Sequence, residues 1–480
     1  MKHFRQRVTT TASPFPQVGP VRLMAILLFC VSAFFAGACG GAEGTDTAAQ
    51  PNIIFILADD FGRELLPAYG GTSYVTPVLD SMAESGLLFQ TCYATPLCAP
   101  SRNMFLSGQY NFRNYTDWDE MDFSIRTIAH YMRDAGYVTG MAGKWHRGGW
   151  RQEPRGPAKA GFMEYCSYDY LEYNTARKKD ENCYWGTTLW QDGGEIKLGK
   201  DQSTSEYFNQ YVTDFIRRHK NKPFFFYYPM NLVHRPFVIT PDQLSVSHAA
   251  DTSNLSRSAG KAENFAAMVS YADKLVGRVI ETLKEEDLLE NSIIMFAGDN
   301  GTDNIREASD VVSGFRGGYV KGGKYFPTEL GVNVPFIIYA PGYVTTGGRI
   351  ASPVDFTDLL PTCYDLSGNA GGEMVTDGRS FASLIHGRGD YHPRTWVYSY
   401  GNFDNHSGKY KDPVRYSDGF YGVMSDGAWK YYSDNRLFNV REDILERHEI
   451  PDGYSAESDL IRKRLKDNLD SLRNTLPRLW

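Results

Sequence analysis

The chain lacks the marks of several function classes. Its 480 residues hold seven cysteines and no C-x-x-C pair, so neither a zinc ribbon nor a thioredoxin-like redox motif has support. Basic residues do not dominate: Lys and Arg number 50 against 57 Asp and Glu, a formal charge of −7. With no basic stripe to neutralise phosphates, the charge argues against nucleic acid as the main partner. It does not argue against a small anionic substrate, which needs only local cations. There are no internal repeats, and the apolar run from Leu23 to Ala38 is short for a membrane span.

The rest of the composition is that of a large folded protein. Hydrophobic residues make up 42% and charged residues 22%, enough for a sizeable core and more than one structural unit. Aromatics reach 14%, with 31 tyrosines, which serves core packing first and sugar-stacking surfaces second.

The N-terminus has the layout of a targeting segment. Lys2, Arg5, Arg7 and Arg22 precede the apolar run, and Ala36-Gly37-Ala38 offers small residues for cleavage. Cys39 follows at once and resembles the lipidated cysteine of a bacterial lipoprotein, although Ala36 stands where leucine is usual. The expectation is a signal peptide over 1–39, lipidation at Cys39, a polar tether over 40–50, and export to the periplasm or cell surface. Cys166 and Cys183 can pair in an oxidising compartment, a question the sequence leaves open.

From residue 51 the pattern alternates. Apolar runs at 52–58, 138–142, 224–228, 292–297 and 334–340 read as buried strands. Amphipathic stretches at 77–85, 124–135, 205–219 and 263–289 read as helices between them. The segment 147–201 has no clear period and reads as an excursion over one face. Such alternation predicts an α/β fold: a large doubly wound, mostly parallel sheet flanked by helices, over 51–365. Short strands at 396–400, 421–425, 429–432 and 437–440, then a helix over 456–476, predict a smaller C-terminal antiparallel sheet plus helix over 366–480.

Four of the predicted strands are each followed within a few residues by polar groups: Asp59-Asp60, Lys144 and His146, His234, and Asp299-Asn300. Ligands of open parallel sheets bind beyond the carboxyl ends of the strands, so these groups should converge. Asp59, Asp60, Asp299 and Asn300 are hard oxygen donors, suited to Ca²⁺, or less well Mg²⁺, rather than zinc. Lys144, Lys324 and Arg102 can neutralise a substrate anion, and His146 and His234 can serve as base and acid.

Cys98-Ala99-Pro100-Ser101-Arg102 resembles the signature of the type I, formylglycine-dependent sulfatases of the alkaline phosphatase superfamily. Further motifs match over Asn52 to Trp480: Asp59-Asp60, Gly143-Lys144-Trp145-His146, His234 before Pro236, Asp299-Asn300-Gly301, and Lys324 ahead of Glu329-Leu330-Gly331-Val332. Leu330 and Asn333 depart from the frequent glycine and arginine. The resemblance implies that Cys98 is converted to formylglycine by a formylglycine-generating enzyme and becomes a metal ligand. Its gem-diol would attack sulfur, with Arg102, Lys144, His146, His234 and Lys324 as catalytic partners. A sulfated carbohydrate is the implied substrate, with Arg147, Arg235, Tyr184, Trp185, Trp190 and His406 as candidates to bind it. Two other readings stand beside this one. The first is a formylglycine-dependent phosphonate or phosphate ester hydrolase, and the second a surface lipoprotein that binds sulfated glycans without turnover.

Overall fold

All seven residues of Asn52–Ala58 are buried, and their side chains alternate between two cores. Ile53, Phe55 and Leu57 join one apolar cluster, while Ile54, Ile56 and Ala58 join the other. A strand with both faces covered has no polar side to show, which is why the run is continuous rather than alternating. The computed structural model describes residues 50–114, 122–145, 155–169, 183–247, 262–369, 373–400, 403–404, 409–410 and 422–474.

Among the described residues, the main sheet has ten strands. In chain order they are β1 (Asn52–Ala58), β2 (Leu87–Phe89), β3 (Val138–Trp145), β4 (Glu164–Asp169), β5 (Thr188–Gln191), β6 (Gly194–Lys197), β7 (Phe224–Pro229), β8 (Ser292–Gly298), β9 (Phe336–Tyr339) and β10 (Gly348–Ile350). They lie side by side as β10-β2-β9-β8-β1-β7-β3-β4-β5-β6. β8, β1, β7, β3 and β4 are mutually parallel. β9 runs antiparallel to β8 and to β2 on one side, and β5 and β6 continue as antiparallel strands on the other.

Helices cover both faces. The principal ones are α1 (Pro77–Ser85), α2 (Cys98–Ser107), α3 (Ile128–Asp134), α4 (Thr204–His219), α5 (Ala262–Glu285), α6 (Leu359–Leu366) and α7 (Ala456–Asn474). Phe208, Phe215, Met268 and Leu275, from α4 and α5, pack on one face. Phe105, Met132, Leu360 and Leu465, from α2, α3, α6 and α7, share the core on the other. A four-stranded antiparallel sheet follows: β11 (Val397–Tyr400), β12 (Gly422–Ser425), β13 (Trp429–Tyr432) and β14 (Leu437–Asn439). This is the mostly parallel α/β sheet with a smaller C-terminal sheet that the pattern predicts. No helix among the described residues is long and apolar enough to cross a membrane.

Three local expectations need correction. The segment 147–201 is not a patternless excursion, since β4, β5 and β6 extend the sheet within it. Their sequences mix aromatic, charged and small residues, and the pairing is supplied by β3 through the register Ala142 to Cys166 rather than by an apolar run. The helix predicted from Ser124 begins at Ile128. Ser124 N donates to Asp122 Oδ1 (2.8 Å) in a turn, and Thr127 N donates to His130 Nδ1 (3.2 Å) at the true helix start. Finally, β3 runs on to Trp145, so Lys144 projects from the strand itself rather than from a loop after it.

Candidate active site

The carboxyl ends of β1, β7 and β8 are tied together by their own backbones. Asp59 N donates to Leu232 O (2.8 Å), Val233 N to Asp59 O (2.7 Å), and Asp299 N to Ala58 O (3.0 Å). Asp60 takes a left-handed conformation (φ 58°), and its N–H donates to Asp299 Oδ1 at 3.0 Å. That turn sends consecutive side chains, Asp59 and Asp60, into one buried cluster with Asp299 and Asn300.

Gly301 completes the turn after β8. A Cβ there would lie 1.8 Å from Leu330 O, and Gly301 N donates to Gly331 O at 2.9 Å. Only glycine permits this approach, which docks the Asp-Asn-Gly turn on the Glu329-Leu330-Gly331-Val332 segment. Lys324 is held close by, its N–H donating to Thr302 O (3.1 Å).

Cys98 opens α2, all ten residues of which are buried. Ser101 Oγ accepts from Thr95 N at 2.9 Å, pinning the approach of the chain to the helix start. Gly108 ends the helix with φ 66°, the left-handed stop that glycine provides. Ligand atoms of Cys98, Asp59 and Asp299 lie within 4.8 Å of one another. One turn further along, Arg102 donates from Nη2 and Nε to Asp299 Oδ2 (2.6 and 3.1 Å) and from Nη1 to Lys144 O (3.3 Å).

Two lysines complete the set. Lys144 Nζ donates to Asp59 Oδ2 (2.6 Å) and Lys324 Nζ to Asp60 Oδ2 (2.7 Å). Burial alone would push the Asp59 carboxyl up, but Lys144, His234, Arg102 and Lys324 together hold it below the usual range. Asp299 is pushed the other way, by burial and by the Asp59 carboxylate beside it. Lys324 stays charged, because Asp60 more than offsets its desolvation. His234 is held neutral, its value lowered to about 3 by burial first and by the Lys324 ammonium second. Its Nδ1 lies 2.5 Å from Arg235 O, which can only accept, so the ring proton sits on Nδ1. Nε2 is then the unprotonated nitrogen, 3.7 Å from Asp60 Oδ2.

The cluster fits a hard divalent cation. Asp59 Oδ1 and Asn300 Oδ1 are buried with no hydrogen-bond partner among the described residues. Such atoms are expensive unless something positive meets them. Asp60 Oδ1, which accepts from Asn300 Nδ2 (2.8 Å), and the Asp299 carboxylate add further oxygen donors. An all-oxygen set of this kind suits Ca²⁺ or Mg²⁺.

Of the predicted site residues, Asp59, Asp60, Cys98, Arg102, Lys144, His234, Asp299, Asn300 and Lys324 come together. His146, Arg147, His406 and Cys39 lie outside the described residues. Arg235 is ion-paired through Nε to Asp303 Oδ2 at 2.8 Å. Trp185 is buried, with its indole N–H donating to Ile239 O (3.1 Å). Trp190 packs at the margin of the core from β5. Tyr184 donates to Asn231 O (2.7 Å) and to His234 O, so it braces the His234 turn from below. Cys166 and Cys183 are separate buried thiols, not a disulfide.

Sequence reasoning missed Asp303 and Tyr227. Asp303 is buried and anchors Arg235 beside Lys324, and its signal was the second aspartate of Asp299-Asn300-Gly301-Thr302-Asp303. Tyr227 points its hydroxyl to Arg102 Nη1 (3.5 Å) from mid-strand, where nothing in an apolar run distinguishes it.

Comparison with known proteins adds to this geometry. The chain is 28% identical over 350 residues to arylsulfatase J of Mus musculus, covering 70% of this chain and 56% of that protein's length. It is 28% identical over 375 residues to N-acetylgalactosamine-6-sulfatase of Homo sapiens, covering 72% of this chain and 68% of that protein. Its fold matches the crystal structure of Ps i-CgsB in complex with k-i-k-neocarrahexaose, with a TM-score of 0.69 at 22% identity over 89% of this chain and 94% of that one. A family model, Sulfatase, matches residues 51–369. The chain belongs to the sulfatase family.

Proposed function

We propose that the protein hydrolyses a sulfate ester on a carbohydrate, with residue 98 as the nucleophile in its formylglycine form. One observation carries the reading. Cys98 sits at the start of a buried helix, within 4.8 Å of Asp59 and Asp299 ligand atoms, in a cluster that also holds Arg102, Lys144 and Lys324. The name of a relative, N-acetylgalactosamine-6-sulfatase, and of a fold neighbour with a bound neocarrahexaose support a sugar sulfate as the substrate.

Hydrated formylglycine would supply a hydroxyl nucleophile, and Ca²⁺ held by Asp59, Asp60, Asp299, Asn300 and residue 98 would supply positive charge for the sulfate oxygens. The chain's own residues do the rest. Arg102 holds the Asp299 carboxylate and keeps it aimed at residue 98. The Lys144 and Lys324 ammoniums offer fixed charge to the ester's equatorial oxygens without reorganisation. Lys324 carries a proton at neutral pH and would hand it to the leaving oxygen, while neutral His234 presents its Nε2 lone pair as a hydrogen-bond acceptor beside it. His146 is our candidate for the base that activates the nucleophile. Residues 51–365 carry the reaction and 366–480 buttress it. The leader-like run ending at Cys39 supports export with a lipid anchor, and the formylglycine-generating enzyme would act during maturation.

The test is free-sulfate release from a panel of sulfated glycans and their oligosaccharides, using protein from a host that makes formylglycine. One aryl sulfate, matched phosphate esters and Cys98→Ala run in parallel. Release from a glycan that vanishes in Cys98→Ala supports the proposal. Turnover of the phosphate ester alone overturns it.

A further inference from the structure

Four guanidinium groups from four separate stretches line one cavity of about 240 Å³ between the main sheet and the C-terminal sheet. Arg63 follows β1, Arg316 sits in the turn after Ser313–Phe315, Arg349 belongs to β10, and Arg441 follows β14. None of the metal-binding or catalytic residues above lines this cavity.

The counter-charge does not balance. Glu329 is the one carboxylate among the residues that line the cavity. It is already committed: Oε2 accepts from Asn333 Nδ2 (2.8 Å), Oε1 accepts from Tyr93 and lies 3.4 Å from Lys430 Nζ, and Arg63 Nη2 is only at 3.7 Å. Arg63 is 4% exposed, and although Nη1 donates to Gln90 O (3.0 Å), its buried Nε has no hydrogen-bond partner among the described residues. A buried guanidinium N–H without an acceptor is costly unless an anion from outside meets it. Arg349 donates to Ala68 O (2.8 Å), and Arg316 rests over the Phe315 ring, 5.2 Å from its centroid. Partial burial, then the Arg63 and Arg349 guanidiniums, lower the affinity of Arg316 for its proton, and Glu329 only partly offsets them.

We propose that this cavity is a second oxyanion site, which takes a sulfate group as a fixed, unreacting ligand. The fork of a guanidinium matches two oxygens of a tetrahedral oxyanion, and four forks around one cavity surround it. The occupant is either free inorganic sulfate or a sulfate carried on a neighbouring sugar, since both present the same oxygens. An anion there would also tie Arg63, which follows β1, to Arg441, which follows β14.

The experiment is equilibrium dialysis of the full chain against radiolabelled inorganic sulfate at fixed ionic strength, with the Arg316→Gln/Arg441→Gln double variant alongside. Both side chains are exposed, so the variant is expected to fold, and unchanged sulfate-ester turnover on a monosaccharide substrate checks that it does. The double variant should bind one sulfate fewer per chain, or bind it at least about ten-fold more weakly. Product inhibition by sulfate at the catalytic site should be unchanged. If a sulfated oligosaccharide displaces the label from wild type at this site, the ligand is a glycan sulfate; if only inorganic oxyanions do, it is free sulfate. Equal stoichiometry and affinity in wild type and double variant would overturn the proposal, whether or not the catalytic reading holds.

Discussion

Lys144 Nζ lies 2.6 Å from Asp59 Oδ2, with both side chains fully buried. The pair is a charge relay of position: the ammonium keeps Asp59 ionised, and Asp59 keeps the ammonium at the strand end. Removing one partner strands the other in a low-dielectric interior. Lys144→Ala should lower kcat/KM for sulfate release by about 100-fold or more. It should also destabilise the fold by about 3 kcal/mol, read as a lower urea midpoint. An unchanged midpoint would show that the remaining cations beside Asp59, Arg102 and Lys324, compensate it without Lys144.

Gly143 sets that lysine's place. Its φ is +133°, and a Cβ would lie 1.9 Å from Pro229 O on the neighbouring strand. Gly143→Ala must therefore push β3 from β7, moving Lys144 with it. The expected cost is about 1–3 kcal/mol of stability with a larger proportional loss of activity. Thermal unfolding and sulfate release on the same preparation measure both.

His234 makes stability pH-dependent. Its ordinary value is 6.5 and its value in the fold is about 3, so between the two the unfolded chain takes up a proton that the fold refuses. The stability it contributes is complete above pH 6.5 and is lost as pH falls toward 3. His234→Gln cannot take up that proton in either state. Its urea midpoint should fall less steeply with acid than that of wild type, and parallel curves would contradict the assignment.

Chelation tests the oxygen cluster. With Asp59 Oδ1 and Asn300 Oδ1 unpartnered, EDTA should remove activity and lower the melting temperature. Ca²⁺ at 100 times its Kd should restore about 2.7 kcal/mol. Asp299→Asn should abolish this calcium-dependent shift, and a melting temperature insensitive to both treatments would exclude the metal.

What the sequence made legible follows from local cause. Asp59-Asp60 and Asp299-Asn300 were readable because apolar runs end at them, and a parallel strand's end is a fixed place in the fold. The docking of Gly301 on Leu330 was readable only as two motifs, since the contact that joins them is between backbones. β4, β5 and β6 were missed because their order comes from pairing with β3, not from their own period. The Arg63 cavity was invisible for a similar reason. Arg63, Arg316, Arg349 and Arg441 are separated by up to hundreds of residues, and each alone reads as a surface charge.

The most direct test of the central claim measures two quantities on one set of preparations. Protein is made with graded amounts of the formylglycine-generating enzyme, the aldehyde fraction at residue 98 is read by peptide mass spectrometry, and sulfate release from the best glycan is assayed on the same samples. The account predicts activity proportional to the aldehyde fraction and extrapolating to none for the thiol. Full activity in protein whose Cys98 is unconverted, or in Cys98→Ala, would contradict it.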